Sequence, residues 1–89
     1  MKRVIIRVSG KVQGVFYRAS AKDEADRFGI RGIIRNEPDG SVLIDAEGDE
    51  AVLNEFIAWC KKGPRRANVL SATVEHKASI GYPDFQIRR

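Results

Sequence analysis

Nine residues, Gly10-Lys11-Val12-Gln13-Gly14-Val15-Phe16-Tyr17-Arg18, hold the chain's best prospect for chemistry. They join a strand-like segment to a helix-like one, and the two glycines let successive backbone N–H groups turn inward. Backed by a helix N-terminus, such groups form a site for phosphate or another anion. The pattern lacks the Gly-Lys-Ser/Thr ending of a nucleotide-binding P-loop and the Gly-x-Gly-x-x-Gly spacing of a dinucleotide site. By composition alone, the same glycines also serve a plain strand-to-helix connection. Arg18 bears on that choice, because a cation in the first helical turn opposes the macrodipole by roughly 0.3–1 kcal/mol. Its guanidinium can grip two phosphate oxygens bidentately, and an ordinary ion pair to Asp23 or Glu24 is the alternative. Asn36 offers a donor and an acceptor able to orient a water, or a side chain that bonds its own backbone ahead of Pro38-Asp39-Gly40.

The elements that must position these groups are read from periodicity. Val4, Ile6 and Val8 alternate with Ile5, Arg7 and Ser9, which predicts a first strand ended by Gly10. Tyr17, Ala21, Ala25 and Phe28 recur at helical spacing, with Gly29 at the C-cap. Residues 31–36 and 41–47 flank Glu37-Pro38-Asp39-Gly40 and predict a hairpin of strands two and three. Asp49 predicts the N-cap of a second helix whose stripe is Val52, Leu53, Phe56, Ile57, Trp59 and Cys60, stopped by Gly63-Pro64. Residues 69–77 alternate as a fourth strand, and Phe85-Gln86-Ile87 predicts a short last one. The order is βαββαβ with a strand appended. It predicts an α+β, ferredoxin-like two-layer sandwich, an antiparallel sheet with both helices on one face.

That topology places a site. Strands one and two are expected to run the same way through a right-handed crossover, so their carboxyl ends share one edge of the sheet. The glycine loop, Asn36 and the basic segment Gly63-Pro64-Arg65-Arg66 should therefore meet there. Lys61, Lys62, Arg65 and Arg66 can steer an anionic substrate or simply complement a helix C-terminus. Asp45, Glu47 and Asp49 alternate near the opposite edge and read as a solvated face and a helix cap. His76 reads as a solvated strand position.

Composition bounds the rest. Eighty-nine residues and a net charge of +4 predict a single domain, residues 1–89, with an anionic partner of unspecified class. One cysteine, Cys60, allows no internal disulfide and no cysteine zinc cluster, and its place on the second helix's apolar face predicts a buried core residue. No apolar stretch approaches the length of a membrane span, which predicts a soluble cytoplasmic protein without membrane association.

Two segments resemble the acylphosphatase family. Val12-Gln13-Gly14-Val15-Phe16-Tyr17-Arg18 is similar to its signature V-Q-G-V-x-[FY]-R, and Gly32 to Asn36 with Asp39-Gly40-Ser41-Val42 is similar to its second, G-[aromatic]-V-x-N-x-x-D-G-S-V. The resemblance continues through Gly63-Pro64-Arg65-Arg66-Ala67 and Phe85-Gln86-Ile87, covering essentially the whole chain. Ile33 departs from it, standing where the family often has an aromatic residue. The resemblance implies hydrolysis of acyl phosphates to a carboxylate and inorganic phosphate, without metal or organic cofactor. It implies that Arg18 and the backbone amides of Val12, Gln13, Gly14, Val15, Phe16 and Tyr17 bind the phosphoryl group, and that Asn36 orients the attacking water. Inorganic phosphate is then expected as product and competitive inhibitor, acting on a monomer.

The chemistry is feasible with so few groups. A carboxylate leaving group, with a pKa on the order of 4, needs no general acid at neutral pH. An RNA-binding module of the same fold would stack bases on aromatics of strands one and three, and Val4 to Val8 and Val42-Leu43-Ile44 offer none. No nucleic-acid partner is expected. A regulatory domain that binds a phosphorylated or other small ligand without turnover is the alternative function.

Overall fold

The architecture follows from where each apolar face is buried. The computed structural model describes residues 1–88. Its elements are β1 (Lys2–Lys11), α1 (Tyr17–Phe28), β2 (Arg31–Asn36), β3 (Val42–Gly48), α2 (Glu50–Lys62), β4 (Asn68–Lys77) and β5 (Phe85–Arg88). The strands form one sheet in the order β4-β1-β3-β2-β5. Val4, Ile6 and Val8 of β1 and Val42, Ile44 and Ala46 of β3 are the alternate residues that face the helices. Against them pack Tyr17, Ala21 and Ala25 from α1 and Leu53, Phe56 and Cys60 from α2. This is the ferredoxin-like sandwich that the periodicity predicts, with one difference. β5 pairs parallel to β2, so the sheet is mixed, whereas the β1–β3, β1–β4 and β2–β3 pairs are antiparallel. No helix among the described residues is long and apolar enough to cross a membrane.

Gly10 does not end β1. The strand continues to Lys11 through a bulge, its register against β4 slipping between Ser9 and Gly10. With φ 121°, a Cβ on Gly10 would lie 2.2 Å from the Asn68 carbonyl oxygen, so the glycine permits close approach of two backbones. Asp49 does sit at the N-cap of α2, but its side chain makes no capping bond.

Asp45 and Glu47 are buried, which corrects the expectation of a solvated face. The cause is topological. β4 and β5 lie at opposite edges, so residues 78–84 must cross four inter-strand spacings, roughly 19 Å. Seven residues reach at most about 25 Å, so the segment runs nearly straight across the face that the helices leave open. Two acidic side chains of β3 hold it there. The Glu47 carboxylate accepts hydrogen bonds from Ser79 Oγ and Ile80 N, both at 2.9 Å, and from Tyr82 N. Asp45 accepts from the Tyr82 hydroxyl at 2.7 Å and bidentately from Arg3 at 2.8 and 2.7 Å.

Burial by itself raises the Glu47 carboxyl, but the N–H groups of Ile80 and Tyr82 and the Ser79 hydroxyl outweigh it and hold the group below its ordinary 4.5. A depressed folded-state value means stability that is present above the ordinary value and lost as pH falls through the folded one. Glu47→Gln turns an amide N–H toward donors and leaves a buried group unsatisfied, so it should destabilise the fold by about 1–3 kcal/mol at neutral pH. Urea unfolding at neutral and acid pH checks this. The difference between variant and wild type should shrink in acid, and a constant difference would refute the ionic origin.

Candidate active site

The carboxyl ends of β1 and β2 bring the sequence's candidates together. Val12, Gly14, Phe16, Tyr17, Arg18, Ala19, Asn36 and Ile87 line one cavity of about 310 Å³. Gln13 and Val15 belong to the same loop but do not line it. Ile87 arrives on β5, whose position beside β2 depends on the strap just described.

The loop is shaped by two left-handed residues, Gly14 at φ 73° and Phe16 at φ 63°. Glycine takes that conformation freely, whereas a phenylalanine there is a strained position that the surroundings must impose. Phe16 is the N-cap of α1, with no side-chain capping bond, and its carbonyl accepts the Ser20 N–H at 3.0 Å. Among the described residues, no backbone N–H from residues 13–16 has a carbonyl partner. Consecutive free N–H groups at a helix N-terminus form a positive concavity suited to a tetrahedral anion.

Tyr17 anchors the first turn of α1. Its hydroxyl donates to the Cys60 carbonyl at 2.6 Å, and its ring lies 5.5 Å from that of Trp59. Burial pushes its phenol far above the usual range, so it remains a neutral donor. Burial likewise raises the Cys60 thiol, in keeping with a core residue. The turn held by Tyr17 carries Arg18, which is half-buried. The expected alternative ion pair does not form, because Glu24 pairs with Arg27 and Arg18 makes no ion pair among the described residues. One guanidinium nitrogen donates to the Arg88 carbonyl at 3.2 Å, which leaves most of the fork available.

Asn36 ends β2, and its Oδ1 is buried without a hydrogen-bond partner among the described residues. The turn that follows is closed without it. Glu37 N donates to Ser41 O at 2.8 Å, and Asp39 Oδ1 accepts from Ser41 N and Oγ at 2.9 and 2.6 Å. Such an orphaned acceptor costs roughly 1–3 kcal/mol unless something fills it. Asn36 itself lines the cavity of about 310 Å³ that Arg18 shares.

Local sequence pattern carries no sign of what ties the two halves of the site together. Gln13 Nε2 donates to the carbonyls of Glu37 at 2.9 Å and Ser41 at 2.8 Å, fastening the glycine loop to the turn after Asn36. Only the three-dimensional proximity of that turn reveals this role; in sequence Gln13 is one amide among six. The Glu37 carboxylate is set between Arg35 at 3.5 Å and Arg7 at 3.7 Å, and neither Arg35 nor Glu37 lines the cavity. The basic turn does reach the shared edge. The Arg66 guanidinium lies 5.8 Å from the Phe16 ring centre, and His76 and Lys2 lie around a separate groove.

Comparison with known proteins identifies the family and agrees with the fold. The sequence model of a family described as Acylphosphatase matches residues 4–87. An acylphosphatase of Methylococcus capsulatus is 44% identical over 90 residues, covering 100% of this chain and 98% of the relative. The crystal structure of an acylphosphatase from Bacillus subtilis superposes with a TM-score of 0.96 at 36% identity, covering 100% of both chains. An acylphosphatase from Coxiella burnetii gives 0.93 at 32% identity, covering 98% of this chain and 92% of its own.

Proposed function

This chain belongs to the acylphosphatase family and hydrolyses acyl phosphates, and we propose from that premise how its residues divide the reaction. The phosphoryl group sits in the loop of residues 12–17, on backbone N–H groups, with Arg18 gripping two of its oxygens. Asn36, in the wall of the same cavity, orients the attacking water. Water oxygen bonds to phosphorus, the bond from phosphorus to the carboxyl oxygen breaks, and the products are a carboxylate and inorganic phosphate. The observation that carries this division is that Asn36, whose side-chain acceptor has no partner among the described residues, lines the same cavity as a guanidinium that makes no ion pair among them.

In-line phosphoryl transfer spreads charge over three equatorial oxygens, so catalysis reduces to positioning and electrostatic stabilisation. A rigid row of N–H groups and an always-charged guanidinium supply both. Among the described residues lining the cavity there is no carboxylate, histidine or cysteine to act as a base, and burial keeps the Tyr17 phenol protonated. The water's proton therefore passes to a phosphoryl oxygen of the substrate itself. We read the enzyme as a single domain over residues 1–89 that works as a cytoplasmic monomer, in keeping with its one cysteine, buried.

Hydrolysis of benzoyl phosphate in EDTA tests this directly. Turnover should be unchanged by the chelator, and inorganic phosphate should inhibit competitively because it occupies the loop. Loss of activity in EDTA that added metal restores, or noncompetitive inhibition by phosphate, would overturn the proposed site. A folded protein with no turnover would favour the regulatory-domain alternative.

A further inference from the structure

A second cavity, about 660 Å³, is lined by Val15, Phe16, Ser20, Pro64, Arg65 and Arg66. It shares Phe16 with the first cavity, and Asn36 lines the first alone. The fold builds this wall deliberately. Gly63, at φ 74°, turns the chain out of α2 with its Cα against the Tyr17 ring, where a Cβ would come within 3.1 Å. The Ala67 N–H then donates to the Pro64 carbonyl at 3.0 Å, closing a tight turn with Arg65 and Arg66 at its two central positions. Both arginines are exposed, and neither has a carboxylate partner among the described residues. Phe16 presents its ring at 68% exposure from a strained left-handed backbone, with Arg66 beside it.

In-line displacement sets the leaving oxygen opposite the attacking water. With water on the Asn36 side, the acyl group departs past Phe16 into the second cavity. We propose that this cavity is the acyl subsite, and that it selects acyl phosphates with a planar or apolar segment next to the carbonyl and a second negative charge beyond it. The aromatic face of Phe16 receives the planar part. Arg65 and Arg66, two cations on one turn with no ion-pair partner among the described residues, receive the distal anion. The inference rests on the roles assigned above to the loop and Asn36.

Benzoyl phosphate and 4-carboxybenzoyl phosphate differ by that one distal charge, and the ratio of their kcat/KM values reads the subsite. Wild type should favour the carboxylated substrate. The double variant Arg65→Gln/Arg66→Gln should lower the ratio on the order of tenfold, as two partly screened ion pairs allow. Lys61→Gln/Lys62→Gln removes the same charge from the exposed end of α2 outside the cavity, and should lower the ratio much less. Absence of a wild-type preference, an unchanged ratio in the arginine variant, or an equal drop in the lysine variant would each overturn the subsite, the last by showing a general field. Failure of wild type to hydrolyse benzoyl phosphate would instead take down the parent reading, and the subsite with it.

Discussion

Arg18→Gln should lower kcat/KM for benzoyl phosphate by about 10³-fold or more and weaken inhibition by inorganic phosphate in the same variant. Glutamine keeps a polar end with one donor pair, but it is shorter and lacks the charge and the fork. A single preorganised donor is worth roughly 10²–10³ in rate, and an arginine on a transferring phosphoryl group roughly 10³–10⁵. Both binding and chemistry suffer because, in the proposed division of roles, the guanidinium contacts the same oxygens in substrate, transition state and product. Stability offers an internal control. A cation in the first turn of α1 opposes the helix dipole by roughly 0.3–1 kcal/mol, so its removal should leave the fold about as stable as before, even with the bond to Arg88 lost. A thermal melt alongside the kinetics separates loss of function from unfolding. Inactivity with phosphate inhibition intact would mean that Arg18 acts on the reaction step alone, against the role given to it.

The site was legible in the sequence to the extent that it depends on strand ends. Once β1 and β2 run parallel, Arg18 and Asn36 must meet, however the intervening chain is packed. What local pattern does not carry is anything that a distant segment decides. Asp45 and Glu47 alternate like exposed residues because they do face away from the helices; only the placement of β4 and β5 at opposite edges draws residues 78–84 over them. The same placement makes β5 parallel to β2 and brings Ile87 to the cavity. Gly10 reads as punctuation, since a bulge and a strand end both call for glycine, and the partner strand that separates the two lies 58 residues on, at Asn68. The left-handed Phe16 is invisible for a different reason: propensity argues against an aromatic there, and strain of that kind persists where function requires it.

Asn36→Ala should separate what Arg18→Gln damages together. Turnover should fall by about 10²–10³-fold while inorganic phosphate inhibits as well as it does in wild type, because in the proposed division of roles Asn36 positions the water and touches no phosphoryl oxygen. The structure adds a second expectation of opposite sign. Oδ1 is a buried acceptor without a partner, a position that disfavours the folded state, and alanine removes it. The variant should therefore unfold at the same temperature as wild type or higher, whereas a residue kept for the turn would lower it. The turn's own closure by Glu37, Asp39 and Ser41 is independent of the Asn36 side chain and remains in place. Phosphate inhibition lost along with turnover would move Asn36 into the phosphoryl site. A fold weakened by the substitution would make it a structural residue whose effect on rate is indirect. Turnover lost, phosphate retained and stability unharmed is the one combination that a water-positioning group produces.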